Sequence, residues 1–166
     1  MKPIPHDLVK DTLAELREYN ISRLVLSPNR WKACNLKISL KWRVVKFDKT
    51  HKSKIPLDKQ GVYTFVVKPG IANHPECSYL LYVGKTERQG LRTRFLQYFG
   101  ETKKPTGRPY IKEMIRLWNK HLWFCYATID DVKKIGDIEN KLIEAYVPPM
   151  NEDFQGVVGK AMKAWR

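Results

Sequence analysis

Apolar positions along this chain switch between a period near four and a period of two, and each switch marks an element. Behind Asp7, which can cap, Val9, Leu13 and Leu16 recur at helical spacing. From Leu36 to Val44 the period is two. Leu36, Ile38, Leu40, Trp42 and Val44 share one side, and Lys37, Ser39, Lys41 and Arg43 share the other. This predicts a strand with an apolar and a cationic face. Such a strand suits an edge guarded by lysine or a surface that follows phosphates, and the residues favour neither. The polar, basic run Asp48–Lys54, closed by Pro56, then divides a leading extension (1–58) from a compact remainder (59–154) and a tail (155–166).

Within the remainder, Val62–Val67 is apolar on both faces, as a buried central strand requires, and Tyr79–Val83 is similar. The segment between them, Lys68-Pro69-Gly70 to His74-Pro75-Glu76, reads as a loop. Leu91, Phe95 and Phe99 at spacing four predict a helix over 91–99. Pro109 suits a first helical turn, and Ile111, Met114, Ile115 and Trp118 form a stripe behind it. Trp123–Ile129 reads as a strand. Asp130 is placed to cap a last helix, with Ile135, Ile138, Leu142 and Tyr146 as its inner stripe, ending before Pro148-Pro149. Short strands mixed with helices in this way predict an α+β layer fold.

Charge adds a partner class. The formal net charge is +14, which points to a polyanion, most often nucleic acid. The shorter part is the more basic: residues 1–60 carry a net +8 and residues 61–166 a net +6. Three cysteines, Cys34, Cys77 and Cys125, form no CxxC pair and, with the four histidines, show no zinc spacing. No run reaches the roughly 18–20 apolar residues of a membrane span, and no signal-peptide core follows Met1. A cytoplasmic protein without membrane contact is the expectation.

Several side chains then raise the question of chemistry. Glu139 borders the apolar stripe of the last helix, so its carboxylate is partly desolvated and needs a partner. That partner is a lysine or arginine in the ordinary case and a divalent cation in the sharper one. Arg94 and Tyr98 are four apart and share a helix face. An arginine there either snorkels past the apolar face or clamps a phosphate. Tyr63 and Tyr82 lie on neighbouring strands, where buried tyrosines are usually core. Gly84-Lys85-Thr86 suggests a phosphate loop, but the required preceding glycine is replaced by Tyr79, which excludes that motif.

The ordered set resembles the GIY-YIG nuclease family. Its first triplet is present as Gly61-Val62-Tyr63 and its second as Tyr82-Val83-Gly84, followed by Lys85-Thr86. The helix pattern is present as Leu91, Arg94 and Tyr98, and the closing signature as Glu139, Leu142, Ile143, Pro148 and Asn151. Valine replaces isoleucine in both triplets. The loop Glu87-Arg88-Gln89-Gly90 is slightly longer than in excision-repair members, so Arg92 and Arg94 compete for the arginine position. Arg94 is preferred, because Leu91 and Tyr98 then fall at family spacing.

The resemblance implies a three-stranded antiparallel sheet flanked by helices, with a site on one face that hydrolyses DNA phosphodiesters and leaves a 5′-phosphate. It implies that Glu139 holds Mg²⁺ (or Mn²⁺) and that Tyr63 is either the general base or the relay that orients the water. Lys85 is expected to lower the Tyr63 pKa. Arg94 would neutralise phosphoryl charge, Tyr82 and Tyr98 would hydrogen-bond the phosphate or water, and Asn151 would fix the site from behind. Lys37, Lys41 and Arg43 on the extension, with Lys85, Arg88 and Arg92, are the expected DNA contacts. The expected activity is restriction, defence or repair. Symmetric double-strand cutting with one site per chain would require a homodimer. The alternative is a catalytically silent nucleic-acid-binding module. The nuclease reading falls if Glu139 lies far from the hydroxyls of Tyr63 and Tyr82, or is tied up by a neighbouring lysine with no room for an ion.

Overall fold

A computed structural model describes residues 24–71, 77–152, 154 and 159. The helix expected behind Asp7, the loop at 74–76 and the tail from 155 on, Gly159 apart, lie outside the described residues. The chain runs α1 (Pro28–Ala33), β1 (Arg43–Lys46), a 3₁₀ segment (Lys49–Lys54), β2 (Gly61–Val67) and β3 (Tyr79–Thr86). It continues through α2 (Leu91–Glu101), α3 (Pro109–Trp118), β4 (Leu122–Thr128) and α4 (Ile135–Tyr146). The four strands form one antiparallel sheet in the order β1-β4-β2-β3.

Because side chains alternate across a strand, the sheet has two apolar faces. One carries Tyr63, Phe65, Phe124, Tyr126 and Val45, and α2 and α3 cover it with Leu91, Phe95, Tyr98, Ile111, Met114 and Ile115. Aromatic rings dominate this core, mostly edge to face: Phe65 meets Tyr98 at 4.8 Å and Phe95 meets Phe124 at 5.2 Å. The other face carries Val62, Val83 and Ala127, covered by Ile135, Ile138, Leu142 and Ile143 of α4.

The sheet has four strands rather than the expected three, because the extension contributes β1. The alternation at 36–44 is real over its first half only. Leu36, Ile38 and Leu40 pack beside α4, with Lys37, Ser39 and Lys41 outward, but they pair with no strand among the described residues. The frame then slips by one. Trp42 and Val44 are exposed, and Val45 and Phe47 enter the aromatic core instead. Pairing with β4 selects residues 43–46, since a one-residue shift exchanges the two faces. The basic run after it folds into the 3₁₀ segment. Asp48 caps the 3₁₀ segment by accepting from the Thr50 amide, and Ile55 at its end is fully buried.

Two further expectations change around α4. Asp131, not Asp130, caps the turn leading into it, by accepting from the Lys133 amide, while Asp130 pairs with Lys59. Tyr146 is exposed, and Ile143 and Ala145 complete the buried stripe. The helix ends as Val147 adopts a left-handed conformation (φ 47°, ψ 58°) and its amide donates to the Ile143 carbonyl. That conformation costs a β-branched residue roughly 1–2 kcal/mol. It turns Pro148-Pro149 out of the helix and delivers Met150 and Asn151 to the outer edge of β3.

Candidate functional site

The register of β2 on β3 sets the geometry. Tyr63 lies opposite Gly84, and Val62 lies opposite Lys85. Paired residues share a face, so Tyr63 points to the aromatic side and Lys85 to the α4 side. The expected site residues are therefore divided between two faces and meet at the β3 edge, which corrects the single-face arrangement expected from the sequence. Gly84 makes the meeting feasible. A Cβ there would lie 2.7 Å from both Cζ and the hydroxyl of Tyr63 and 2.7 Å from Cε1 of Tyr82. The bare backbone lets the end of the Tyr63 ring lie against β3.

On the aromatic side, Tyr63 is fully buried and its hydroxyl is the hub. It lies 2.8 Å from the Tyr98 hydroxyl and accepts from Arg94 Nε at 2.9 Å. The Arg94 guanidinium also stands 5.3 Å from the centre of the Tyr98 ring and donates from Nη1 to Gln97 Oε1 at 3.2 Å. Among the described residues Arg94 forms no ion pair; its partners are neutral oxygens. Burial acts to lower its pKa, but Tyr63 and Tyr98 outweigh that and raise it, so it is a permanent cation. Arg94 thus takes the position for which Arg92 was the competitor. Arg92 donates instead to the carbonyls of Ile55 (2.7 Å) and Ser53 (3.5 Å), tying α2 to the 3₁₀ segment. Its guanidinium is thereby engaged in the fold.

Burial pushes the Tyr63 phenol up to about 12, with Tyr82 adding to the rise and Arg94 opposing it. The expectation that Lys85 would lower this value fails, because Lys85 is on the opposite face and engaged there. Burial likewise raises Tyr82 and Tyr98. These three phenols are neutral hydrogen-bonding groups at neutral pH. A phenol with pKa near 12 is ionised to only about one part in 10⁵ at pH 7.

On the α4 side, Lys85 Nζ lies 3.0 Å from Glu87 Oε1 and 3.4 Å from Glu139 Oε2. The Glu139 side chain is 14% exposed and that of Lys85 35%. Burial raises the Glu139 pKa, Lys85 draws it partly back, and the charge of Arg94 acts in the same direction as Lys85.

Asn151 is buried and grips the edge strand between the second triplet's ends. Its Oδ1 accepts from the Val83 amide at 2.9 Å and its Nδ2 donates to the Val83 carbonyl at 2.8 Å. Lys37, Lys41, Arg43 and Arg88 are exposed. Arg108, which sequence reasoning passed over, also belongs to the aromatic side. Its guanidinium is 5.1 Å from the Tyr98 ring and 3.5 Å from its hydroxyl. Nothing in the local sequence marks it, since a ten-residue gap separates it from Tyr98.

Among the described residues, no group of three or more His, Cys, Asp or Glu converges. Mg²⁺ does not need one, as it commonly takes one or two carboxylates and fills the rest with water and phosphate. Glu139 offers one such carboxylate if Lys85 stays with Glu87, its nearer partner. Among the described residues no helix is long and apolar enough to cross a membrane. In comparison with known proteins, the chain matches no family model, no curated protein and no solved structure.

Proposed function

We propose that this protein is a Mg²⁺-dependent DNA endonuclease that hydrolyses phosphodiesters by a GIY-YIG type of mechanism. The observation that carries the reading is the Arg94 guanidinium, bound to the Tyr63 hydroxyl without a carboxylate partner among the described residues. Glu139 would hold the Mg²⁺, which when bound supplies positive charge to the reacting phosphate. Arg94 neutralises charge on the phosphoryl oxygens and is held in place by Tyr63 Oη and Gln97. Tyr63 acts as the general base or as the relay that orients the water, its hydroxyl held by Arg94 and Tyr98. Tyr82, less buried than Tyr63 and Tyr98, is the phenol placed to orient the attacking water. Water attacks phosphorus and loses its proton by way of Tyr63 to solvent, the P–O3′ bond breaks, the O3′ oxygen takes up a proton from solvent to leave as a hydroxyl, and the 5′ end keeps the phosphate.

A second reading, a nucleic-acid-binding module without cleavage, is favoured by one observation: Lys85 occupies the Glu139 carboxylate. Against it, Lys85 is closer to Glu87 and one-third exposed, so it can leave Glu139 without losing a carboxylate partner. Incubation of plasmid with the protein and Mg²⁺ separates the two readings. Nicking or linearisation that disappears with EDTA and with Glu139→Ala supports the endonuclease. Intact plasmid over a broad range of conditions, with binding that survives Glu139→Ala, establishes the module.

A further inference from the structure

Tyr98 is flanked by two guanidiniums, not one. Arg94 reaches it from the preceding turn of α2, and Arg108 from the residue before α3. Their Cζ atoms lie 5.3 and 5.1 Å from the ring centre. Arg108 is aimed by a buried carboxylate: its Nη2 pairs with Glu101 Oε1 at 3.3 Å, and Glu101 is only 4% exposed. Lys104 Nζ pairs with the same oxygen at 2.8 Å. Glu101 is thus shared by two cations and cancels at most one of them. With Arg94 lacking a carboxylate partner, three cations surround one anion at this end of the sheet.

Both guanidiniums bring positive charge to the surroundings of the Tyr98 ring, which an anion bound there offsets. The donors support the same conclusion. Arg94 uses Nε and Nη1, and Arg108 uses Nη1 and Nη2, so Nη2 of Arg94 and Nε of Arg108 carry no hydrogen bond among the described residues. A phosphate oxygen is the acceptor for which guanidinium forks are best shaped. We propose that Arg108, aimed by Glu101, binds a backbone phosphate of the DNA beside the one held by Arg94. This deepens the endonuclease reading and rests on it for the identity of the polyanion. Arg108 is a substrate-positioning residue and takes no part in the bond breaking.

The test measures binding of a short DNA duplex to the full chain in EDTA, over a range of salt concentrations, for the native protein and for Arg108→Gln and Arg108→Lys. Each phosphate contact contributes about 0.9 to the slope of log K against log salt. The glutamine variant is expected to lower the slope by about 0.9, with similar losses on unrelated sequences, and the lysine variant to keep it. An unchanged slope in a folded glutamine variant overturns the inference. If that variant does not fold, the Nε–Hε resonance of Arg108, assigned through the lysine variant, decides: it shifts on adding duplex if the inference holds, and a static resonance overturns it. Plasmid cleavage is scored separately. Cleavage with an unchanged slope sinks the role of Arg108 alone, and a lowered slope without cleavage sinks the hydrolase reading alone.

Discussion

Gly84→Ala is the substitution that asks most of the proposed site. The new methyl carbon would sit 2.7 Å from Cζ and from the hydroxyl of Tyr63 and 2.7 Å from Tyr82 Cε1. Neither ring end can easily yield, because Tyr63 is fully buried and its hydroxyl is held by Arg94 and Tyr98. Overpacking of this kind costs about 1–3 kcal/mol. Displacing the hydroxyl also weakens a hydrogen bond to a charged group, worth about 1.5–3 kcal/mol, and a neutral one worth about 0.5–1.5 kcal/mol. A strand position gains back roughly 0.5–1 kcal/mol when glycine becomes alanine. The expected net destabilisation is about 2–7 kcal/mol, a fall in Tm of roughly 4–28 °C for a chain of this size. The assay is a double-mutant cycle with Tyr63→Phe, followed by thermal and urea denaturation. Removing the hydroxyl abolishes one of the three contacts and both hydrogen bonds, so Gly84→Ala should cost at least ~1 kcal/mol less in the phenylalanine background. Costs that add to within ~0.5 kcal/mol would refute the claim that this glycine exists to admit the Tyr63 hydroxyl.

Three other outcomes are expected. Asn151→Ala leaves the Val83 amide and carbonyl without their side-chain partners, costs about 1–3 kcal/mol, and accelerates hydrogen exchange at the Val83 amide. Arg92→Ala lowers stability by about 1–2 kcal/mol, through loss of its bonds to the Ile55 and Ser53 carbonyls. It leaves the salt slope of duplex binding unchanged, and a lowered slope would return Arg92 to the DNA surface. Tyr63 binds its proton more tightly folded than unfolded, since burial raises its pKa from 10.0 to about 12. Its contribution is therefore complete below pH 10 and is lost as pH rises towards 12. A spectrophotometric titration should show a class of phenols that ionises only as circular dichroism reports unfolding.

Much of this architecture is legible in local periodicity, and what is not has a definite cause. The stripe Ile111, Met114, Ile115 and the doubly apolar run of β2 announce their elements because burial there follows one period throughout. Residues 36–44 mislead because the alternation stays regular while the frame of burial slips between Leu40 and Val45, and only pairing with β4 imposes that slip. Asp130 and Asp131 are equivalent to a sequence-based expectation, and the Lys59 ammonium decides between them. The candidate residues are named from residue types and spacing alone, and the structure puts Arg94, not Arg92, on the Tyr63 hydroxyl. The division of Tyr63 and Glu139 between two faces was not readable, since it depends on which residue of β3 stands opposite which residue of β2. Arg108 was invisible for a related reason: the turn between α2 and α3 brings it back to Tyr98, and no periodicity spans a turn.

The clasp of residues 150–151 on β3 limits how two copies of this chain can associate. The Met150 amide donates to the Leu81 carbonyl, and the Asn151 amide group occupies both backbone groups of Val83. The outward-facing donors and acceptors of that strand are thus already taken at its middle, and a second molecule cannot extend the sheet there. The opposite margin of the sheet is β1, where Arg43 and Lys46 stand exposed and the Lys46 carbonyl accepts from the Asp48 amide.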